Sequence, residues 1–230
     1  MSALGEHAQE YLRARRALGV KLERHGRLLP QLVVYLEAAG ALRPPLKAAS
    51  YEALFGLLAV TGMRLGEAIA LQPGDIDLDD GVITIHARTA KLQRARLVPL
   101  HPTAVQALER YLSARARLCP RPGSNTVFLS SIGTGLDRSA VAKTLRTLTT
   151  ALGLRTDTVH PTAHQLRHSF AVSTLIDWQR SGAVIDERIA LLSTYLGHVG
   201  PAETYWYLTA TPELMGAAAQ RLQRHFGGQS

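Results

Sequence analysis

The chain has 230 residues, 46% of them apolar, enough for a buried core and for either one large domain or a catalytic domain with a small appendage. Twenty-six Lys and Arg against 18 Asp and Glu leave a formal charge of +8, which suits a polyanionic partner. The single cysteine, Cys119, excludes an intramolecular disulfide and a thiolate zinc site. No apolar run nears the ~20 residues that span a bilayer and the first residues are too polar for a signal peptide, so the expected setting is cytoplasmic.

Two helices are expected over residues 8 to 39, the second carrying Leu28, Leu29, Leu32, Val33 and Leu36 at helical spacing and ending at Gly40. Arg43-Pro44-Pro45 reads as a linker. Helix returns over residues 50 to 60, with Leu54, Leu57 and Leu58 inward, and again over 65 to 71. Gly62 separates these two and places Arg64 at a helix start, where backbone N–H groups favour an anion. Between Asp75 and Pro99 the period changes, and residues 82 to 85 and 96 to 98 read as strands with Lys91 on the turn between them. Asp75-x-Asp77-x-Asp79-Asp80-Gly81 imitates the start of a calcium loop. Its glycine comes one place late and its twelfth position is His86 rather than Glu, so it reads as a strand turn. Helices resume at about 102 to 116, 138 to 152, 163 to 178, 186 to 194 and 212 to 226, with a short apolar run at Val127, Phe128 and Leu129. The expected fold class is mainly α with a small antiparallel β-sheet (α+β). No G-x-x-x-x-G-K-[ST] phosphate loop is present, so ATP is not an expected substrate.

Four separated motifs hold the reactive side chains: Thr61-Gly62-Met63-Arg64-Leu65-Gly66-Glu67, His164-Gln165-Leu166-Arg167-His168, Leu196-Gly197-His198, and Thr204-Tyr205-Trp206-Tyr207. Two arginines, two or three histidines and a late tyrosine, with no cluster of carboxylates, suit nucleophilic attack on a phosphodiester. Guanidinium forks match phosphate oxygens, and a phenol supplies the nucleophile. Attack adds negative charge to the non-bridging oxygens, which preorganised guanidinium donors stabilise more in the transition state than in the ground state. Arg64 and Arg167 are the expected pair, with Glu67 three residues on to orient Arg64; a single Arg is otherwise most often half of a surface ion pair. His164 and Arg167 share a helix face, and His168 lies one turn beyond His164. His164 and His168 also fit the frame of the zinc motif H-E-x-x-H, but Gln165 stands where its glutamate base would be. Tyr205 and Tyr207, two apart on a helix, are separated by about 200° of rotation, so only one can face the phosphate. Spacing alone does not choose between them.

In order and separation these motifs resemble the tyrosine recombinases (phage integrase family) over about residues 49 to 226. The resemblance implies a DNA strand-exchange enzyme that cuts and rejoins DNA through a 3′-phosphotyrosine link, with no metal or other cofactor. It assigns phosphate contacts and proton traffic to His164 and Arg167, a phosphate contact to His198 and a structural role to His168. It places the nucleophile nine residues after His198, which selects Tyr207 and leaves Tyr205 and Trp206 to packing. It puts a hairpin lysine five residues before Arg96, at Lys91, as the general acid that protonates the leaving 5′-hydroxyl. Where the family often has Asp this chain has Gln165, a departure expected to be tolerated.

By the same resemblance, residues 1 to 46 form a shortened helical core-binding segment of a DNA clamp and residues 47 to 230 the catalytic domain. The expected partners are double-stranded DNA, further copies of the chain in a homotetramer, and accessory DNA-bending proteins, with no membrane and with nucleoid association once DNA is bound. The tail after Thr211, with Leu214, Met215, Ala218, Leu222 and Phe226 along one stripe, is expected to pack on its own domain or on a neighbour. The shortened clamp keeps open a DNA-binding regulator or decayed recombinase that holds DNA without cutting it. A type IB topoisomerase would share the chemistry.

Overall fold

The computed structural model describes residues 45–87 and 95–198, together with 204 and 207. Helix α1 (Pro45–Thr61) starts five residues before its apolar spacing suggests. Proline fits a first helical position, whose N–H would have no intrahelical partner, so Pro45 opens a helix where the sequence reads as a linker. Tyr51, Leu54, Phe55 and Leu58 of α1 are buried in the larger core. The helix ends where the Thr61 hydroxyl donates to Leu57 O at 2.7 Å and accepts from the Met63 N–H at 3.3 Å. Gly62 then turns the chain with φ of 62°. Its missing side chain also leaves room for the Phe170 ring, into which a Cβ would run.

Arg64 caps the short helix α2 (Leu65–Ala70), and the Glu67 carboxylate accepts the Arg64 N–H at 2.9 Å, so the start of α2 is closed by its own third residue. A 3-10 turn (Pro73–Asp75) leads to an antiparallel sheet of β1 (Ile76–Asp77), β2 (Val82–Ile85) and β3 (Arg96–Pro99) in the order β1-β2-β3. Strand β1, two residues long, is too short to show alternation in a sequence. Ile83 pairs with Val98 and Ile85 with Arg96. Directly paired residues share a sheet face, so Arg96 lies on the same face as Ile83, Ile85 and Val98, all three buried, while Leu97 stands out on the other face, 63% exposed.

Four longer helices follow: α3 (Pro102–Leu118), α4 (Arg138–Ala151), α5 (Ala163–Arg180) and α6 (Ile185–Leu196). Each has a local reason to start or stop. His101 and Asp137 side chains accept the N–H groups of Thr103 and Ala140 at the starts of α3 and α4. At α5, Gln165 accepts the Thr162 N–H at 2.8 Å, the reach-back of a capping box. Helix α6 stops at Gly197, which takes the left-handed conformation with φ of 67°. Between α3 and α4 the run Val127, Phe128 and Leu129 is buried without forming a strand, joined to the fold by Val127 N–H on Leu71 O at 2.7 Å. The Tyr111 hydroxyl donates to Val127 O at 2.8 Å and meets the Ser50 hydroxyl at 3.0 Å, which keeps a buried phenol satisfied.

The larger core joins α1, α2, the sheet, α3 and α4. A smaller core gathers Ala171 and Leu175 of α5, Leu192 and Leu196 of α6, and Tyr207, with Tyr195 packed against both. The fold is thus mainly helical with a small three-stranded sheet. No described helix is long and apolar enough to cross a membrane. The helices expected over residues 8 to 39 and 212 to 226 lie outside the described residues.

Two glycines should respond in opposite senses. Gly62→Ala forces a left-handed alanine against the Phe170 ring and should cost ~2 kcal/mol or more. Gly56→Ala, inside α1 with no atom within 4 Å of an added Cβ, should gain ~0.5–1 kcal/mol. Urea-unfolding midpoints moving in the same direction for both variants would contradict this.

Candidate active site

Helix α6 leaves its last carbonyls to be satisfied from outside. The backbone after it takes two of them: Gly197 N–H donates to Thr194 O at 2.9 Å and His198 N–H to Ser193 O at 2.9 Å, a Schellman closure. The next three carbonyls receive arginines. Arg96 Nε donates to Tyr195 O at 2.8 Å, Arg167 Nη2 to Leu196 O at 2.8 Å, and Arg64 Nη2 to Gly197 O at 2.8 Å, with Arg64 Nη1 also 3.3 Å from Leu196 O. Arg167 Nη1 completes the set by donating to Gly62 O at 2.9 Å, the carbonyl exposed by the Thr61-Gly62 turn. Motifs separated by about a hundred residues therefore meet at one helix end, whose partial negative charge suits cations.

Glu67 lies beneath this cluster, 2% exposed. The sequence suggests that it orients Arg64, and it does so through the Arg64 N–H and through Arg64 Nη1 at 3.3 Å. Its tighter grip is on Arg96, whose Nη1 and Nη2 reach Oε1 and Oε2 at 3.0 and 2.7 Å. Burial by itself raises the Glu67 carboxyl, but the hydrogen bonds and charge of Arg96, followed by those of Arg64, outweigh it and hold the group below its ordinary 4.5. Arg167 is pulled down to about 10 by burial and then by the charge of Arg64, so it stays protonated at neutral pH. Arg64 is the more accessible of the Arg64–Glu67 pair, its side chain 21% exposed.

The histidines and the tyrosine close the site from the side of the smaller core. His198, next after Gly197, bonds through Nδ1 to the Thr204 hydroxyl at 2.8 Å. The Tyr207 ring, 4% exposed, lies 5.1 Å from the His168 ring and 6.1 Å from the His198 ring, stacked on the latter with an interplanar angle of 23°. Burial, then the neighbouring His164, holds His168 below its ordinary 6.5. His164, on the first turn of α5, is exposed. His164 and His168 belong to no group of three or more His, Cys, Asp or Glu fit to hold a metal among the described residues. Lys91 and Tyr205 lie outside the described residues. Arg138, exposed at the start of α4, lays its guanidinium where a Cβ on Gly66 would stand, two residues from Arg64.

Two contributors are not among the expected site residues. In the sequence Arg96 reads only as part of a strand, although alternation with Val98 inward puts Arg96 inward as well. Gln165 sits in Thr162-x-x-Gln165, whose capping-box pattern explains why an amide serves at this position.

The phage integrase family model matches residues 36–213, more than half of the chain. This chain belongs to that family. It is 42% identical over 180 residues to a putative integrase/recombinase of Sinorhizobium fredii, covering 77% of this chain and 57% of that protein. It is 30% identical over 196 residues to the tyrosine recombinase XerC of Alcanivorax borkumensis, covering 83% and 59%. Among solved structures, the XerA recombinase overlays with a TM-score of 0.62 at 27% identity, over 85% of this chain and 63% of that one. The chain thus spans somewhat under two thirds of the length of these relatives.

The two titrations predict a stepped loss of stability on acidification. The folded state resists protonating His168 where the unfolded chain accepts the proton, so stability should begin to fall as pH drops below about 6.5. Glu67 adds stability that is present above its unfolded value and lost as pH falls through its lowered folded value, below 4.5. Melting temperatures between pH 8 and 3 should show both steps in the wild type and only the lower one in His168→Gln. Superimposable profiles would remove His168 from the account.

Proposed function

We propose that this chain is a site-specific DNA recombinase that cuts and rejoins double-stranded DNA through a 3′-phosphotyrosine intermediate. One observation carries the reading: Tyr207 is held against His198 beside two arginines that backbone carbonyls have already oriented. No acceptor among the described residues takes the Nε–H of Arg64 or of Arg167, so both guanidiniums retain donors for phosphate oxygens.

The Tyr207 phenol gives up its proton, the traffic assigned to His164, and its oxygen attacks phosphorus; the phosphorus–O5′ bond breaks, and the leaving oxygen takes up a proton, the role assigned to Lys91. Arg64, Arg167, His164 and His198 bear on the non-bridging oxygens, where charge accumulates. Glu67 and His168 support them from behind. Attack of a 5′-hydroxyl on the phosphotyrosine reverses the steps, so the energy of the broken bond is kept and neither ATP nor water is needed. In this reading residues 1 to 46 serve as the clamp segment and residues 47 to 230 as the catalytic domain, working as a homotetramer on DNA with accessory bending proteins and bound to the nucleoid.

The test is trapping on nicked suicide duplexes drawn from a randomised pool, read on a denaturing gel, with the modified peptide located by mass spectrometry. The wild type should form a covalent adduct on Tyr207, and Tyr207→Phe should bind the same DNA but form none. An adduct on Tyr205, or no adduct with any duplex, would contradict the reading.

A further inference from the structure

Glu67 is a buried carboxylate, and such a group must be paired or it becomes a large local cost. Both of its oxygens are taken by Arg96, at 3.0 and 2.7 Å, and its remaining contact with the Arg64 side chain is the longest of the set, at 3.3 Å. Arg64 consequently rests on the Leu196 and Gly197 carbonyls, neutral acceptors that leave its charge undiminished. Arg96 is itself pinned by Tyr195 O and is 9% exposed at its side chain, too enclosed for an ordinary surface cation. The two guanidiniums crowd one glycine: a Cβ on Gly197 would stand 3.0 Å from Arg96 Nη1 and 3.3 Å from Arg64 Nη1.

We infer that Arg96 is a positioning residue for strand transfer: by saturating Glu67 it keeps that carboxylate from drawing Arg64 off the α6 carbonyls and away from the phosphate. The inference rests on the recombinase reading above. Among the described residues, three guanidiniums against one carboxylate leave the cluster with a surplus of two positive charges, and loss of Arg96 halves it. The carboxylate, left with Arg64 as its described partner, then competes with the phosphate for that guanidinium. If this is what Arg96 does, removing the competing charge should repair its loss, which a direct phosphate contact or a plain structural brace would not allow.

The experiment compares wild type, Arg96→Met, Arg96→Lys and the double variant Arg96→Met/Glu67→Gln, using a nicked duplex on which the wild type forms its adduct. Arg96→Met should slow adduct formation by on the order of 10²-fold, like removal of an oxyanion donor, while DNA affinity changes little. The double variant, which restores the net charge and leaves no unpaired buried carboxylate, should recover about tenfold of that rate, and Arg96→Lys should fall between, since it keeps the charge and loses the two-point fork. A double variant as slow as Arg96→Met, or a loss that lies in affinity for the duplex and not in rate, would overturn the inference. Should Arg96→Met fail to fold, the double variant compared with wild type still decides, because a rate within about tenfold of wild type supports the inference and a full 10²-fold loss refutes it. Binding of tungstate, a tetrahedral dianion, measured by calorimetry supplies an arm without DNA. If the wild type forms no adduct with any duplex, the recombinase reading fails by itself. Tungstate affinity lost in Arg96→Met and regained in the double variant would still support the inference, and unchanged affinity would refute it.

Discussion

Everything in this site hangs on the carbonyl end of helix α6. A helix that stops at a left-handed glycine has carbonyls to spare, and among the described residues the backbone that follows covers Ser193 and Thr194. Tyr195, Leu196 and Gly197 are left for Arg96, Arg167 and Arg64. Backbone acceptors are well suited to this because they carry no net charge, so they orient a guanidinium without neutralising it. A carboxylate in their place would fix the arginines equally well and cancel much of the field they exert on an anion. The one carboxylate among the described residues of the cluster, Glu67, is committed mainly to Arg96. Ordering three long side chains is entropically costly, and in this arrangement that cost is met during folding rather than when substrate arrives.

The same helix end couples the arginines to the tyrosine. Leu196 places its side chain in the smaller core beside Tyr207 and offers its carbonyl to Arg167 and Arg64. His198 follows directly after the turn and stacks on the Tyr207 ring. A small displacement of α6 would therefore move both the guanidinium donors of Arg64 and Arg167 and the aromatic packing around Tyr207. Phe170 and Tyr195, stacked with ring centroids 5.6 Å apart, brace this joint against the larger core, and the Phe170 ring in turn occupies the space that Gly62 leaves open.

Much of this is written in local patterns. Apolar spacing gives α3 to α6 to within a few residues, and Gly62 and Gly197 mark turns that need left-handed backbone. Arg64 and Arg167 stand out because paired guanidiniums suit phosphate chemistry, whereas the choice of Tyr207 over Tyr205 and the role of His198 come from the family resemblance, since spacing alone leaves them open. What sequence does not show is the identity of the groups that hold them, since a carbonyl is the same at every position and only folding reveals that Gly62 and Leu196 face one guanidinium. Arg96 is hidden for a related reason: its partners, Glu67 and the Tyr195 carbonyl, are 29 and 99 residues away. Pro45 misleads because proline both breaks a helix and opens one, and β1 is too short for any period to register.

The central claim is that Arg64 and Arg167 are held in place before any anion arrives. Crystal structures of this chain grown with and without vanadate test it most directly. The account predicts that Arg64 Nη2 stays on Gly197 O and Arg167 Nη2 on Leu196 O in both, with vanadate bound by the remaining N–H groups of the two guanidiniums. Guanidiniums that leave these carbonyls to meet the anion would contradict it.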